Sequence, residues 1–265
     1  MSFNSVKCVK MTVSNKRKNL NTQFFLGSDK LKEKDYAKYL GVTIDKNLTF
    51  KQHIIEKCKS ATTVLNMLRR NLYFAPKSVK LKAYKSCVLP ILEYASTSWH
   101  PTSAKSNKTL EMVQNNAARF ITNTYFKKGN INIHSITNIL KDLNLHTLEK
   151  RRNQTRLCMA YKILKGHVIL GSEMLPKSKS KRTQRECNAP NVGLENVLFE
   201  PEARLQTIEK TFFYSTPKLW NRIVTASQAQ APSVDSFKKH FERKCKGKSS
   251  GFYFWCELWG SSKID

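Results

Sequence analysis

Carboxylates are scarce in this chain. It carries 19 Asp+Glu against 47 Lys+Arg, and its six Asp, at 29, 35, 45, 142, 235 and 265, are never adjacent. Two-metal phosphoryl transfer needs clustered carboxylates that hold ions ~3.5–4 Å apart. No such centre is expected within these residues: the catalytic and metal sets are read as empty. Asp29, Asp35 and Asp45 stand in "GSDK", "EKDY" and "IDKN", contexts in which Asp bends and caps backbone, so they are read as turn residues. Cysteine supplies no framework either. The seven thiols, from Cys8 to Cys256, are odd in number and form no CxxC pair. That favours reduced thiols in an intracellular setting, cytoplasmic or nuclear, over disulfides or zinc. The six His show no HxxxH spacing, and the nine Gly form neither a phosphate-cradling loop nor GxSxG. The start, "MSFNSVKCVK", has no secretory apolar run, and no apolar stretch reaches the ~18 residues that a membrane span needs. No membrane partner is expected.

What the chain has in excess is positive charge. The formal net charge is +28 over 265 residues, with 40% hydrophobic and 10% aromatic content. The apolar content is enough for a core. The charge points to a polyanionic partner, and RNA or DNA is the usual one.

The apolar pattern divides the chain. Residues 6–14, 23–26 and 38–44 read as short strands, the last rich in Val, Ile and Thr. From Phe50 the period changes. Phe50, Ile54, Cys58, Ala61, Leu65, Leu68 and Leu72 recur at steps of three and four, one stripe on a helix. A second helix is expected to open near Pro76 with Ser78 as cap, to bury Tyr84, Cys87, Val88 and Ile91, and to end or kink at Pro90. A third spans about 109–125, with Leu110, Val113, Ala117, Phe120, Ile121 and Thr124 inward, and stops at "KKGN". Helical patterns return at 134–143, 147–165, 208–224 and 233–244, the last capped by Ser233. The predicted fold class is mainly α with a small N-terminal antiparallel β element and a helical, thumb-like bundle. The expected parts are a β element at 1–48, a helical region at 49–170, a basic linker at 171–207, a second helical region at 208–245 and an unassigned aromatic tail at 246–265.

Candidate phosphate contacts follow from the basic runs. Lys150, Arg151, Arg152 and Arg156 lie within two helical turns, and the guanidinium fork suits phosphate oxygens. Arg69 and Arg70 precede Tyr73 and Phe74, placing charge beside rings as single-strand binders do. Because Tyr73 and Phe74 close the helix stripe, they are read first as core, as are Trp99 and Trp220.

The segments "KCVKMTVSNKRK", "KYLGVTIDKNLTFKQHI", "LRRNLYFAPKSVKLKAYKSCVLPILEYASTSWHP", "LEMVQNNAARFITNTY", "LNLHTLEKRRNQTRLCMAYKI" and "FFYSTPKLWNRI", in that order, resemble the C-terminal part of reverse transcriptases from non-LTR (LINE-type) retrotransposons. The resemblance covers roughly residues 4–245. It implies that "KYLGVTID" is the last strand of a polymerase palm and "FKQHI" the entry to a thumb, followed by post-thumb helices that hold template and primer. The family's Tyr/Phe-Ala-Asp-Asp motif, its endonuclease and its zinc knuckle have no counterpart in these residues. The resemblance therefore implies a truncated copy that binds RNA or DNA with weak sequence preference and does not polymerise alone. It implies no cofactor held by this chain, Mg²⁺ belonging to the full-length family. Two other readings stay open: a piece of an active enzyme completed by an upstream palm, and a co-opted protein-interaction module.

Overall fold

The computed structural model describes residues 4, 8–13, 22–101, 103–124, 135–170, 175, 196–202 and 206–239. The expected linker at 171–207 lies largely outside them, as do the "KKGN" stop and the aromatic tail. The fold is mainly α with a small N-terminal β element. It consists of two compact units, Met1–Glu149 and Lys150–Asp265.

The first unit opens with six short strands: β1 (Val9–Lys10), β2 (Phe25–Leu26), β3 (Asp29–Lys30), β4 (Lys32–Glu33), β5 (Tyr36–Tyr39) and β6 (Val42–Asp45). They form three two-stranded ladders. Two are antiparallel, β2 with β3 and β5 with β6, whereas β1 runs parallel to β4. The strand read at 38–44 is in fact the middle of a hairpin. Leu40 and Gly41 both take positive φ, 45° and 79°, the backbone of a two-residue turn whose twist matches its flanking strands. The Tyr94 hydroxyl donates to the Leu40 carbonyl at 2.9 Å and fixes the turn. Asp45 closes the hairpin as a turn residue. Its carboxylate accepts from the Asn47 and Thr49 amides, each at 3.0 Å.

Helix α1 (Lys51–Asn71) follows at once. The predicted stripe is its inward face: Ile54, Cys58, Ala61, Leu65 and Leu68 are buried, with Phe50 and Leu72 packed at the margins. Helix α2 (Lys77–Ala83) starts after Pro76, so Ser78 lies inside it and caps nothing. The chain then widens through a π-helical turn (Tyr84–Val88) into α3 (Leu89–Glu93). This turn rewrites the burial phase. The Leu89 amide reaches back five residues to the Tyr84 carbonyl, so Val88, Leu89 and Leu92 turn inward and Cys87 is exposed. Proline has no N–H to give the preceding turn. A wide turn placed just before Pro90 lets the helix run on through it, so Pro90 does not end the helix.

Helix α4 (Ala104–Thr122) begins at Ser103, whose hydroxyl accepts from the Ser106 amide, and ends at Asn123 in the left-handed conformation. Its stripe from Leu110 to Ile121 packs on α1. Helix α5 (Ile136–Asp142) adds Ile139 and Leu140 to the same core. Trp99 is buried there, its indole N–H donating to the Tyr94 carbonyl at 2.9 Å.

Helix α6 (Leu148–Leu164) starts at the end of the first unit, where the Glu111 carboxylate accepts the Leu148 and Glu149 amides at 3.2 and 2.9 Å. A carboxylate there satisfies orphan N–H groups and faces the positive end of the helix dipole. In the second unit follow α7 (Gln206–Glu209), α8 (Phe212–Ile223), α9 (Ala226–Ala229) and a helical stretch at 234–239. Ser233 caps that stretch, accepting from the Ser236 amide at 3.1 Å. Its core is aromatic: Phe237 stacks on Tyr161 and Trp220 at centroid distances of 4.6 and 5.8 Å. Asn221 exchanges a pair of hydrogen bonds with the Leu198 backbone at 2.8 and 2.9 Å, fastening residues 196–200 to α8.

Candidate nucleic-acid interface

The corner between α1 and α2 is built by the end of one helical period. α1 ends at Asn71, and Leu72 keeps its amide on the Leu68 carbonyl at 2.8 Å. Beyond Leu72 the chain is no longer helical, so the stripe cannot carry Tyr73 and Phe74 inward. They are exposed instead, Phe74 at 96%, and meet edge to face at 5.0 Å. The expectation that they are core is therefore corrected. Pro76, three residues on, was the available signal for a chain reversal there.

Arg70 is exposed in the last turn of α1, three residues before Tyr73, and Lys77 is exposed at the start of α2. Arg69 has a different job. Its guanidinium donates to the Asn116 carbonyl at 3.1 Å and to the Asn66 side chain at 3.2 Å, tying α1 to α4. Lys80 is buried as well. Its ammonium donates to Asn123 Oδ1 at 2.8 Å and lies 5.1 Å from the Phe120 ring centre. The corner thus presents an exposed guanidinium, an exposed ammonium and two exposed rings, a set suited to phosphate contact and base stacking together.

The run at 150–156 splits in two. At 100° per residue, consecutive positions cannot share a helix face. Lys150 and Arg151 are partly exposed, but Arg152 and Arg156 are 1% and 3% exposed. Arg156 donates to the Thr211 carbonyl at 3.1 Å and to the Ser215 hydroxyl, holding the first turn of α8. Burial pushes its pKa down to about 10, and the Arg152 charge adds to that. Buried guanidinium groups have no access to a phosphodiester, so Arg152 and Arg156 are reassigned to packing. Of the six candidates, Arg70 is exposed, and Lys150, Arg151 and Arg69 are partly exposed.

The described residues do not fit a two-Mg²⁺ centre. Asp35 is paired with Lys46 at 2.8 Å and Asp45 is occupied by its turn. Among the described residues no group of three or more His, Cys, Asp or Glu is arranged to hold a metal ion. No described helix is long and apolar enough to cross a membrane. His53 is a titratable group with a structural grip in the first unit. It is fully buried, its Nδ1 accepts from the Thr43 amide at 3.2 Å, and its ring meets Trp99 edge on at 5.2 Å. Burial, then the Lys57 charge, lowers its pKa to about 4. It fastens β6 to α1 as a neutral side chain.

Comparison with known proteins gives two relatives of one kind. The chain is 29% identical over 167 residues to the probable RNA-directed DNA polymerase from transposon BS of Drosophila melanogaster, covering 62% of this chain and 18% of that protein. It is 27% identical over 130 residues to the probable RNA-directed DNA polymerase from transposon X-element of the same organism, covering 44% and 14% respectively. The chain thus spans less than a fifth of the length of the curated relatives it matches. No family model matches it, and no solved structure matches it.

Proposed function

Because the chain is related to the RNA-directed DNA polymerases of non-LTR transposons, we propose that residues 1–265 form a nucleic-acid-holding part of a reverse-transcriptase-like protein. The observation that carries this reading is the α1–α2 corner, where Arg70, Tyr73 and Phe74 are all exposed within five residues of chain, in a chain of net charge +28. Arg70 and Lys77 neutralise backbone phosphate, and the two rings stack on unpaired bases. Both contacts are indifferent to base identity, so sequence preference is weak. By themselves these residues bind without polymerising, since their six Asp include no adjacent pair and nucleotide transfer needs clustered metal-holding carboxylates. The scattered thiols suit an intracellular site, cytoplasmic or nuclear.

The test is a titration of the full chain with labelled RNA and DNA oligonucleotides over a salt series. Log K should fall linearly with log salt for both. Phe74→Ala should weaken single-strand binding about tenfold, the equivalent of ~1.4 kcal/mol, within the ~1–3 kcal/mol of one stacked base. Binding that ignores salt, or nucleotide incorporation by the purified chain with Mg²⁺, would overturn the reading. A second reading, contact with another polypeptide, draws on exposed Tyr36, Tyr39 and Leu40 on the β5–β6 hairpin. Salt-indifferent capture of a protein partner would favour it.

A further inference from the structure

A cationic surface lies on α6 that the run at 150–156 conceals. Arg151, Thr155, Cys158 and Lys162 recur at helical steps of four, three and four. With Gln154, Met159 and Lys238 they line a cavity of about 340 Å³ within the second unit. Three of these residues are cationic and none is acidic. The ion pair at Lys238 is loose. Asp235 approaches Lys238 at 3.7 Å with its own carboxylate 84% exposed, a geometry worth little in water. The Thr155 hydroxyl is already donated to the Arg151 carbonyl at 3.0 Å, so it offers an acceptor, and the Gln154 amide offers donors. Cys158 and Met159 make part of the wall apolar, which strengthens charge interactions at the cavity. The Cys158 thiol senses the same field: burial raises its pKa, while Lys238 and Lys162 pull it back down.

We propose that this cavity is a groove for the phosphodiester backbone of a nucleic-acid strand. The assignment rests on the nucleic-acid reading above for its ligand, but on different residues and a different unit. A strand fits better than a single phosphate for a geometric reason. Arg151 and Lys162 are eleven residues apart on one helix, ~16 Å of axial rise, so these two cations mark the ends of a line along α6. A lone phosphate group meets one end of that line; a polymer runs along it.

The experiment uses the full chain, a labelled homopyrimidine oligonucleotide and the variants Arg151→Ala/Lys162→Ala and Lys238→Ala. None of these side chains is buried, so circular dichroism and the thermal midpoint should match the parent chain. The double variant should lose about tenfold in affinity at low salt and flatten the salt slope by one to two units, at about 0.7 to 1 per lost phosphate contact. Acetylation of Lys162 and Lys238 should be slowed by the bound strand. Inorganic tripolyphosphate and a deoxynucleoside triphosphate, at equal phosphate concentration, should compete poorly, as should poly-glutamate. If the parent chain binds with a salt-dependent slope while the variants keep the same affinity and slope, the groove assignment fails and the corner reading stands. If the parent chain shows no salt-dependent binding, the nucleic-acid reading fails as a whole. Equal competition by tripolyphosphate or the nucleotide would make this a free-phosphate site, and equal competition by poly-glutamate a protein-facing one. Either result overturns the strand assignment.

Discussion

Arg156→Met should destabilise the second unit without touching nucleic-acid affinity. The Arg156 guanidinium is 3% exposed and donates to the Thr211 carbonyl and the Ser215 hydroxyl at the start of α8. Hydrogen bonds from a charged group contribute ~1.5–3 kcal/mol each. Not all of that is lost, because the Thr211 carbonyl still accepts from the Ser215 amide at 3.0 Å and the Ser215 hydroxyl at 2.8 Å. The Thr211 carbonyl is therefore not orphaned, whereas the Lys210 carbonyl loses the longer Arg156 contact at 3.4 Å. Methionine also retains the apolar stem, and removing one of two neighbouring guanidinium charges relieves the repulsion that helps to lower the Arg156 pKa. The net loss is therefore set near 2 kcal/mol, about one charged hydrogen bond after those offsets. In urea, with a slope of about 2 kcal/mol per molar, the midpoint of that unit should fall by roughly 1 M. Amide hydrogen exchange locates the effect: faster exchange is expected across 212–223 and unchanged exchange across α1. An unshifted midpoint combined with a drop in oligonucleotide affinity would refute this assignment, because it would put Arg156 on the ligand.

Acid should loosen the first unit through His53. Its folded pKa of about 4 lies below the ordinary 6.5, so the unfolded chain binds the proton more readily between those values. Stability is then fully present above about pH 6.5 and declines as pH falls towards 4, with a slope of at most ~1.4 kcal/mol per pH unit and less after solvent screening. His53→Gln should flatten that part of a stability–pH curve, and an unchanged curve would remove His53 as its source. Gly41→Ala should cost about 1–2 kcal/mol, since φ is +79° and a Cβ would stand 3.3 Å from the Tyr94 ring. A thermal midpoint equal to the parent's would show that the hairpin turn relaxes freely.

The helical stripes were legible because they are local: a period of three and four residues specifies one buried face, and Ile54, Ala61, Leu65, Leu110 and Phe120 lie on it. The kinship with transposon polymerases was readable for a similar reason, from ordered segments that survive without any knowledge of packing. Direction and access were not readable. Nothing in "KRRNQTR" says which cations turn inward, because a helix distributes neighbours around its axis and only the partner surface decides which sector is covered. α8 and its carbonyls made Arg156 a packing residue, while Arg151 shares a face with Lys162, and Lys238, distant in sequence, closes the groove. The same holds at the end of α1. Apolar spacing alone carries the stripe past Leu72, but the helix stops there, and Tyr73 and Phe74 stand in solvent. Sequence determined which segments bury a face and how positive the whole chain is. The tertiary structure decided which charges and rings remain exposed, because exposure depends on what the rest of the chain packs against them.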